Sequence, residues 1–472
     1  MGGVAMQWRS FVGVACVSVA LGAAGCDRGE GSGGEALGPS SGPRPTVSSS
    51  PPPQASGTRS PSPSAGATRH QDLPVLAWKP PVLVASDHVT GDNSLVQVAA
   101  GRNGALAAWE VVPRRGRFVL RIASLHGGRW GPAQTLSHRM SGGTQSLRVA
   151  VGRGDDAAVI LNERMGGRDL VVARQRLRGR WRGPHVLGPG IADGAVIGPD
   201  GVLTVVWSQP VPGGIGIKVA STGRAGGWRP TEELARHSSD ASVSIGRHGD
   251  VAVAWPTDDG VSVAVRRAGV CCWSTHTLHG AIKFAYPARV AVDGHGRVLA
   301  MWGHDIESGE GARRKHLAWA VSVSEEGGWS PVRYIDSGRL AWIEDIELVM
   351  NARGGAVAVW TGSRPRVGGG PSALDRTDRF LFGHGWGTPG DLPLRGFPDA
   401  HISEAGTAAV VAGGSTWWQS PREAVGGEWR RGGNLYRGGS VQGTAVAGWG
   451  SHLVAALYGD AVAARSLSLP SR

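Results

Sequence analysis

Cysteine, tyrosine and any helical rhythm of apolar residues are scarce in this chain. Of 472 residues, four are cysteine and four are tyrosine. Cys271 and Cys272 are neighbours, no second pair stands at zinc-site spacing, and His276 and His279 fall on the strand predicted to follow, so no metal site is expected. The chain has no G-x-S-x-G elbow, P-loop or H-E-x-x-H, and so none of the chemistry those motifs announce. Apolar residues take helical spacing only in the single turn's length TEELAR (231–236). Charged residues make up 18% and are scattered. The net charge of +12 is not gathered into a basic helix or an RNA-binding signature, which argues for a solvated arginine-rich surface and against a nucleic-acid partner. No cofactor is implied.

The first 26 residues read as an export signal: Arg9, then the apolar FVGVACVSVALGAAG, then Cys26. That apolar run is too short to span a bilayer as a mature helix. The ending LGAAGC resembles a bacterial lipobox, with Ala23 three residues and Leu21 five residues before the cysteine. The resemblance implies acylation of the Cys26 thiol, placing the protein in the cell envelope on the outer side of a membrane; plain secretion is the alternative. Residues 27–72 are rich in Gly, Pro and Ser, a composition that cannot offset the entropy of ordering, so they read as a tether. Residues 73–472 form the folded part.

One line recurs through that part: a short apolar strand, a Gly-rich turn, then a second apolar strand that often ends in Trp. Examples are GRNGALAAWE (101–110), GPDGVLTVVW (198–207), GRHGDVAVAW (246–255) and NARGGAVAVW (351–360), and eight copies can be counted. After a variable loop, each complete copy continues with a third strand, a tight turn and a fourth strand starting near Trp, as in VASTGRAGGWRPTEEL. The expected fold is all-β, a single β-propeller of eight four-stranded blades, with seven as the alternative. DVAVAW and GAVAVW alternate large and small apolar residues, as strands buried on both faces do. Thirteen of the 19 tryptophans hold repeat positions and are assigned to the core or to blade junctions.

The last copy stops after three strands, while AWKPPVLVAS (77–86) upstream matches the fourth-strand line, with Trp78 in the place of Trp130. An N-terminal strand is therefore expected in the C-terminal blade, where it hides two open edges.

The turn before the fourth strand resembles the Asp-box of sialidase-like propellers. Ser221 to Trp228 and Ser322 to Trp329 keep its Ser-to-Trp distance, with Gly223 and Ser324 where that family has Asp. The resemblance implies a related fold and no catalytic residue, since Tyr286, Tyr334, Tyr436 and Tyr458 match no nucleophile context.

Candidate ligand-binding residues lie in the loops between second and third strands, which open on one propeller face. They are Glu110, Arg114, Arg115, Glu163, Asp258 and Asp305, with Gln209 in the same position; Trp417 and Trp418 break the repeat near a loop. Cys271 and Cys272 replace the usual Gly-Gly turn and are either a disulfide or a reduced pair. The leading function is a non-catalytic surface lipoprotein binding a wall glycan or a protein partner, and the alternative is a diverged sialidase-like glycoside hydrolase.

Overall fold

The computed structural model describes residues 79, 82–85, 96–111, 118–140, 146–257, 260–279, 285–306, 315–322, 328–340, 342–366, 369–381, 385–387, 390–392, 398–412, 415–419, 429–431, 443–449, 452–458 and 462–468. The signal, the tether, Cys26 and Trp78 lie outside them. Contacts divide the chain into Met1–Arg69 and His70–Arg472, and all that follows concerns the second unit.

The described residues hold eight antiparallel sheets and no helix. Each of the first seven, counted in chain order, is one sequence repeat with its strands in chain order. The third, for example, is built from Ile191–Ile197, Leu203–Val211, Gly214–Ser221 and Glu232–Ala235. The eighth takes Gly443–Trp449, His452–Tyr458 and Val462–Ser468 from the end of the chain and its fourth strand, Val82–Ala85, from the beginning. There Val82 pairs with Ala464 and Leu83 with Ala463, and Lys79 N donates to Ser466 O at 2.9 Å.

The recurring Gly-rich line is one turn used repeatedly. In the third to seventh sheets the first residue of the turn donates its N–H to the carbonyl four residues on: Gly198 to Val202, Gly246 to Asp250, Asp293 to Arg297, Asn351 to Gly355 and Ser403 to Thr407. The fourth residue is a glycine at positive φ, Gly249 at 100° for example, a conformation that side chains with a Cβ resist. Where the first residue is polar, its side chain caps the turn: Asn351 Oδ1 accepts from Arg353 N and Gly355 N, both at 3.0 Å. Asn351 Nδ2 also donates to Ser403 O, 2.8 Å away in the turn of the next sheet.

Apolar clusters join neighbouring sheets. Leu106, Ala108 and Ile122 of the first sheet pack with Leu147, Ala157 and Val159 of the second, and Trp181 packs against them. Val84, Ala445, Val454 and Ala456 of the eighth pack with Val96, Ala107 and Trp109 of the first. Trp109, Trp207, Trp302 and Trp360, which lie within second strands that run two to six residues beyond them, are wholly buried. Trp130, Trp181, Trp228, Trp273, Trp329, Trp386 and Trp429, near the fourth strands, are half-buried at these clusters. The tryptophans therefore hold the positions expected from the repeat.

Three expectations need correction. The fourth strand is broken in the first, second and sixth sheets: Arg129–Trp130, Arg180–Trp181 and Gly385–Trp386 pair with the end of the third strand, and Gln134–Met140, His185–Pro189 and Gly390–Leu392 pair further along it. Pro132 and Pro184 stand at the first two breaks, where the missing N–H interrupts the ladder. TEELAR is a strand and not a helical turn: Glu233 pairs across from Lys218 with an Nζ to Oε2 distance of 2.5 Å, and the cross-strand pair overrides local helical spacing. Trp417 and Trp418 lie in Ser415–Gln419, the third strand of the seventh sheet, opposite Val410 and Ala409.

Candidate functional site

The first strands of the sheets meet at a polar cavity, and register decides what they place there. In each first strand one residue pairs with the residue just before the second-strand tryptophan position. From the first sheet to the eighth these are Gln97, Arg148, Gly194, Ser242, Arg289, Glu347, Asp399 and Ala445. Their partners are Ala108, Ile160, Val206, Ala254, Met301, Val359, Val411 and Ala456. Seven of these eight positions, all but Ala445, line a cavity of about 510 Å³, joined there by Asp193 and Asp240.

Charge around this cavity follows an order. Arg148, Asp193 and Asp240 come from the second to fourth sheets, and Arg289, Glu347 and Asp399 repeat the cation, anion, anion sequence from the fifth to seventh. Arg148 Nε donates to Asp193 O at 2.7 Å, and Arg289 Nε lies 4.0 Å from Glu347 Oε2. Asp399 accepts from Ala400 N at 2.9 Å and, across to the eighth sheet, from Val446 N at 2.6 Å. Of the lining residues the first sheet contributes only the neutral Gln97, and the eighth contributes none.

Asp193 differs from the other carboxylates. A register shift between Ala192 and Gly194 puts it at a bulge, which re-aims its side chain toward the cavity and Ser208, whose Oγ donates at 2.7 Å. Burial raises its pKa to about 7 against the Ser208 hydrogen bond, and the charge of Asp240 adds to the rise while Arg148 opposes it. Near neutrality Asp193 is thus both a proton donor and an acceptor. Burial also lowers the Arg148 pKa, opposed by the Asp193 charge. The ring offers two guanidinium donors and four carboxyl groups in a concave space, which suits a ligand rich in hydroxyls or other paired donors and acceptors. Among the described residues no three His, Cys, Asp or Glu side chains are arranged to hold a metal ion.

The residues singled out from the sequence do not gather here. Glu110 is buried in its second strand opposite Leu120. Glu163 is also buried; its Oε1 lies 3.2 Å from Arg174 Nη2 and 3.4 Å from Ser137 Oγ of the first sheet, so it ties two sheets together. Gln209 accepts from Trp207 Nε1 at 3.3 Å. Asp305 pairs with His316 in its strand, while Arg114, Arg115 and Asp258 lie outside the described residues. Cys271 and Cys272 are free thiols, both exposed. The cavity residues went unmarked in the sequence, although one signal was there: a polar residue in second place in VQVAA, LRVAV and ARVAV, between apolar ones.

No family model matches the chain, and no curated protein matches it in sequence. Solved structures do resemble it. The Dos1 propeller aligns with a TM-score of 0.51 at 11% identity, covering 84% of this chain and 96% of that one. The polysaccharide lyase Uly1 gives 0.44 at 10% identity, with 82% and 100% covered. A PL25 ulvan lyase gives 0.43 at 13% identity, with 65% and 89% covered. At such identities likeness bears on fold alone, and the antiparallel sheets together with the Dos1 alignment make this chain a β-propeller.

Proposed function

We propose that this protein is an exported, non-catalytic envelope lipoprotein, held outside a membrane by lipid on Cys26, whose propeller takes a wall glycan into its central cavity. In this reading the eight sheets are eight blades of one closed ring, and Val82–Ala85 completes the last. Two observations support closure: the pairing of that strand with Val462–Ser468, and the cluster joining Val84 and Val454 to Val96 and Trp109. Glycan binding rests on the ring of Arg148, Asp193, Asp240, Arg289, Glu347 and Asp399 around about 510 Å³, a concave polar space that suits a saccharide better than a folded partner.

The test is calorimetric titration of soluble wall-glycan fragments into the full chain, its Arg289→Ala variant and its Glu347→Gln variant. Binding weakened about tenfold or more in both variants, a loss near 1.4 kcal/mol, is expected. Equal binding by all three proteins would overturn the cavity as the site. Cys26→Ala should move the protein from the membrane fraction to the medium or leave it unprocessed, and unchanged membrane retention would remove the lipid anchor.

A second reading, a diverged sialidase-like glycoside hydrolase, draws on Asp193. A carboxyl group titrating at about 7 beside Asp240 has the form of an acid and base pair. New reducing ends released from the same glycans, and lost in Asp193→Asn, would select this reading; intact glycan after prolonged incubation would exclude it.

A further inference from the structure

The cavity makes no use of the turn between the third and fourth strands of the fourth sheet, Gly260–Arg266 and Ser274–His279. In that turn Val270 N donates to Arg267 O at 3.0 Å, Gly269 has φ of 77°, and Val270 is half exposed. Cys271 and Cys272 follow, both solvent-exposed, with Sγ atoms 2.9 Å apart. Trp273 comes next and packs on Val206 and Val219 of the third sheet and Val253 and Ala264 of its own. The thiols are thus open to small molecules while one peptide bond away from a sheet junction.

We propose that Cys271 and Cys272 are a thiol–disulfide exchange site, a vicinal dithiol that cycles with external disulfides and thiols. Two arguments make the site reversible instead of a permanent clamp. Neighbouring Cα atoms stand about 3.8 Å apart across a trans peptide, below the roughly 4.4–6.8 Å that disulfides prefer, so a bond here is strained. Strained, exposed disulfides are the readily reduced ones. The sulfurs are already side by side, so the second step of exchange is intramolecular and outruns capture of a second external molecule. The hydrogen bond with Cys271 raises the pKa of the Cys272 thiol.

The chemistry balances with an external disulfide R–S–S–R as oxidant. One cysteine gives its proton to solvent, and its thiolate attacks a sulfur of R–S–S–R, forming a mixed disulfide and releasing R–S⁻. The other cysteine, deprotonated in turn, attacks the protein sulfur of that mixed disulfide and expels the second R–S⁻. The protein has lost two electrons and two protons, and the external disulfide has become two thiols. External dithiol reverses each step.

The test uses the full chain, equilibrated with oxidised glutathione and then with dithiothreitol, quenched in acid and cleaved with trypsin. Both cysteines fall on one peptide, residues 268–283. That peptide should lose two hydrogens in oxidised glutathione and regain them in dithiothreitol, and the Cys271→Ser and Cys272→Ser variants should each hold one glutathione. A peptide that stays a dithiol, carries two glutathiones, links two chains, or resists dithiothreitol would overturn the proposal. The single-cysteine variants keep it decidable, because failure to trap any adduct means that the thiols do not react.

Discussion

The guanidinium of Arg266 lies 4.7 Å over the ring of Trp273, and from there it reaches out of its own sheet. Its Nη2 donates to Thr204 Oγ1 and Ser221 Oγ of the third sheet, each at 3.1 Å, and those hydroxyls lie 3.0 Å from one another. Ser221 is the serine of the Asp-box-like line, so the residue that opens one sheet's turn anchors the next sheet's arginine. The arrangement recurs two junctions earlier, where Arg176 lies 5.5 Å over Trp181 and Nη1 donates to Ser124 Oγ of the first sheet at 2.8 Å. Arg266→Ala leaves two buried hydroxyls without their charged donor and should cost about 2–4 kcal/mol. Urea denaturation measures this, and Arg266→Lys should recover little of it, because an ammonium cannot stack on the ring and bridge both hydroxyls.

A second close relationship lies between the seventh and eighth sheets. A Cβ on Gly448 would run into the imidazole of His401, whose Nε2 is buried without a hydrogen-bond partner and whose pKa burial lowers to about 4. Gly448→Ala should destabilise by about 1–3 kcal/mol through overpacking. Truncating the ring should relieve the clash, so Gly448→Ala with His401→Ala should cost less than the sum of the single changes. A double-mutant cycle of denaturation midpoints reads that coupling directly.

Asp193 gives stability a pH dependence whose sign is fixed. Its folded pKa, about 7, exceeds the ordinary 3.8, so between those values the folded chain holds a proton that the unfolded chain has lost. The contribution is present in full below about pH 4 and is lost as pH rises toward 7. Asp193→Asn should flatten the curve of urea midpoint against pH between about 4 and 7. An unchanged slope would assign the effect to other groups, with Asp240 and Arg148 the charges that face it.

The N-terminal strand and the segment before it should respond differently to removal. Deleting residues 73–88 takes Val82–Ala85 from the eighth sheet and bares Val462–Ser468, so the thermal transition should broaden and solubility fall. Deleting residues 27–65 should leave both unchanged, as scanning calorimetry and light scattering would report.

The sheets could be read from the sequence because each repeat carries its own turn, from the second to the seventh with a glycine whose positive φ is a local requirement, and a second strand whose alternation is a local pattern. The same holds for the tryptophans, which mark a place within the repeat. The cavity was not legible for the opposite reason. Arg148, Arg289 and Asp399 are separated by whole repeats and come together only when first strands converge, and each looked like one polar interruption in an apolar strand. Loop acids such as Glu163 looked more available than they are, because nothing local shows that Arg174 and Ser137 will enclose that carboxylate. Trp417 and Trp418 seemed misplaced because the third strand there is short, and only its pairing with Ala408–Ala412 shows it to be a strand.

The partnership between the two ends of the chain also sets an order in time. Arg465 Nε donates to the Lys79 carbonyl across 386 positions of sequence, and among the described residues the strand that Lys79 leads into pairs with Val462–Ser468, near the C-terminus, and with no other strand. A chain emerging from its N-terminus exposes Val82–Ala85 early and must wait for nearly all the rest before that strand finds its place. Contacts so distant in sequence form slowly, and until they form an unsatisfied edge is open to other chains. The last step of folding is thus the one most exposed to a competing neighbour, and refolding yield should fall as protein concentration rises even when every other sheet is complete.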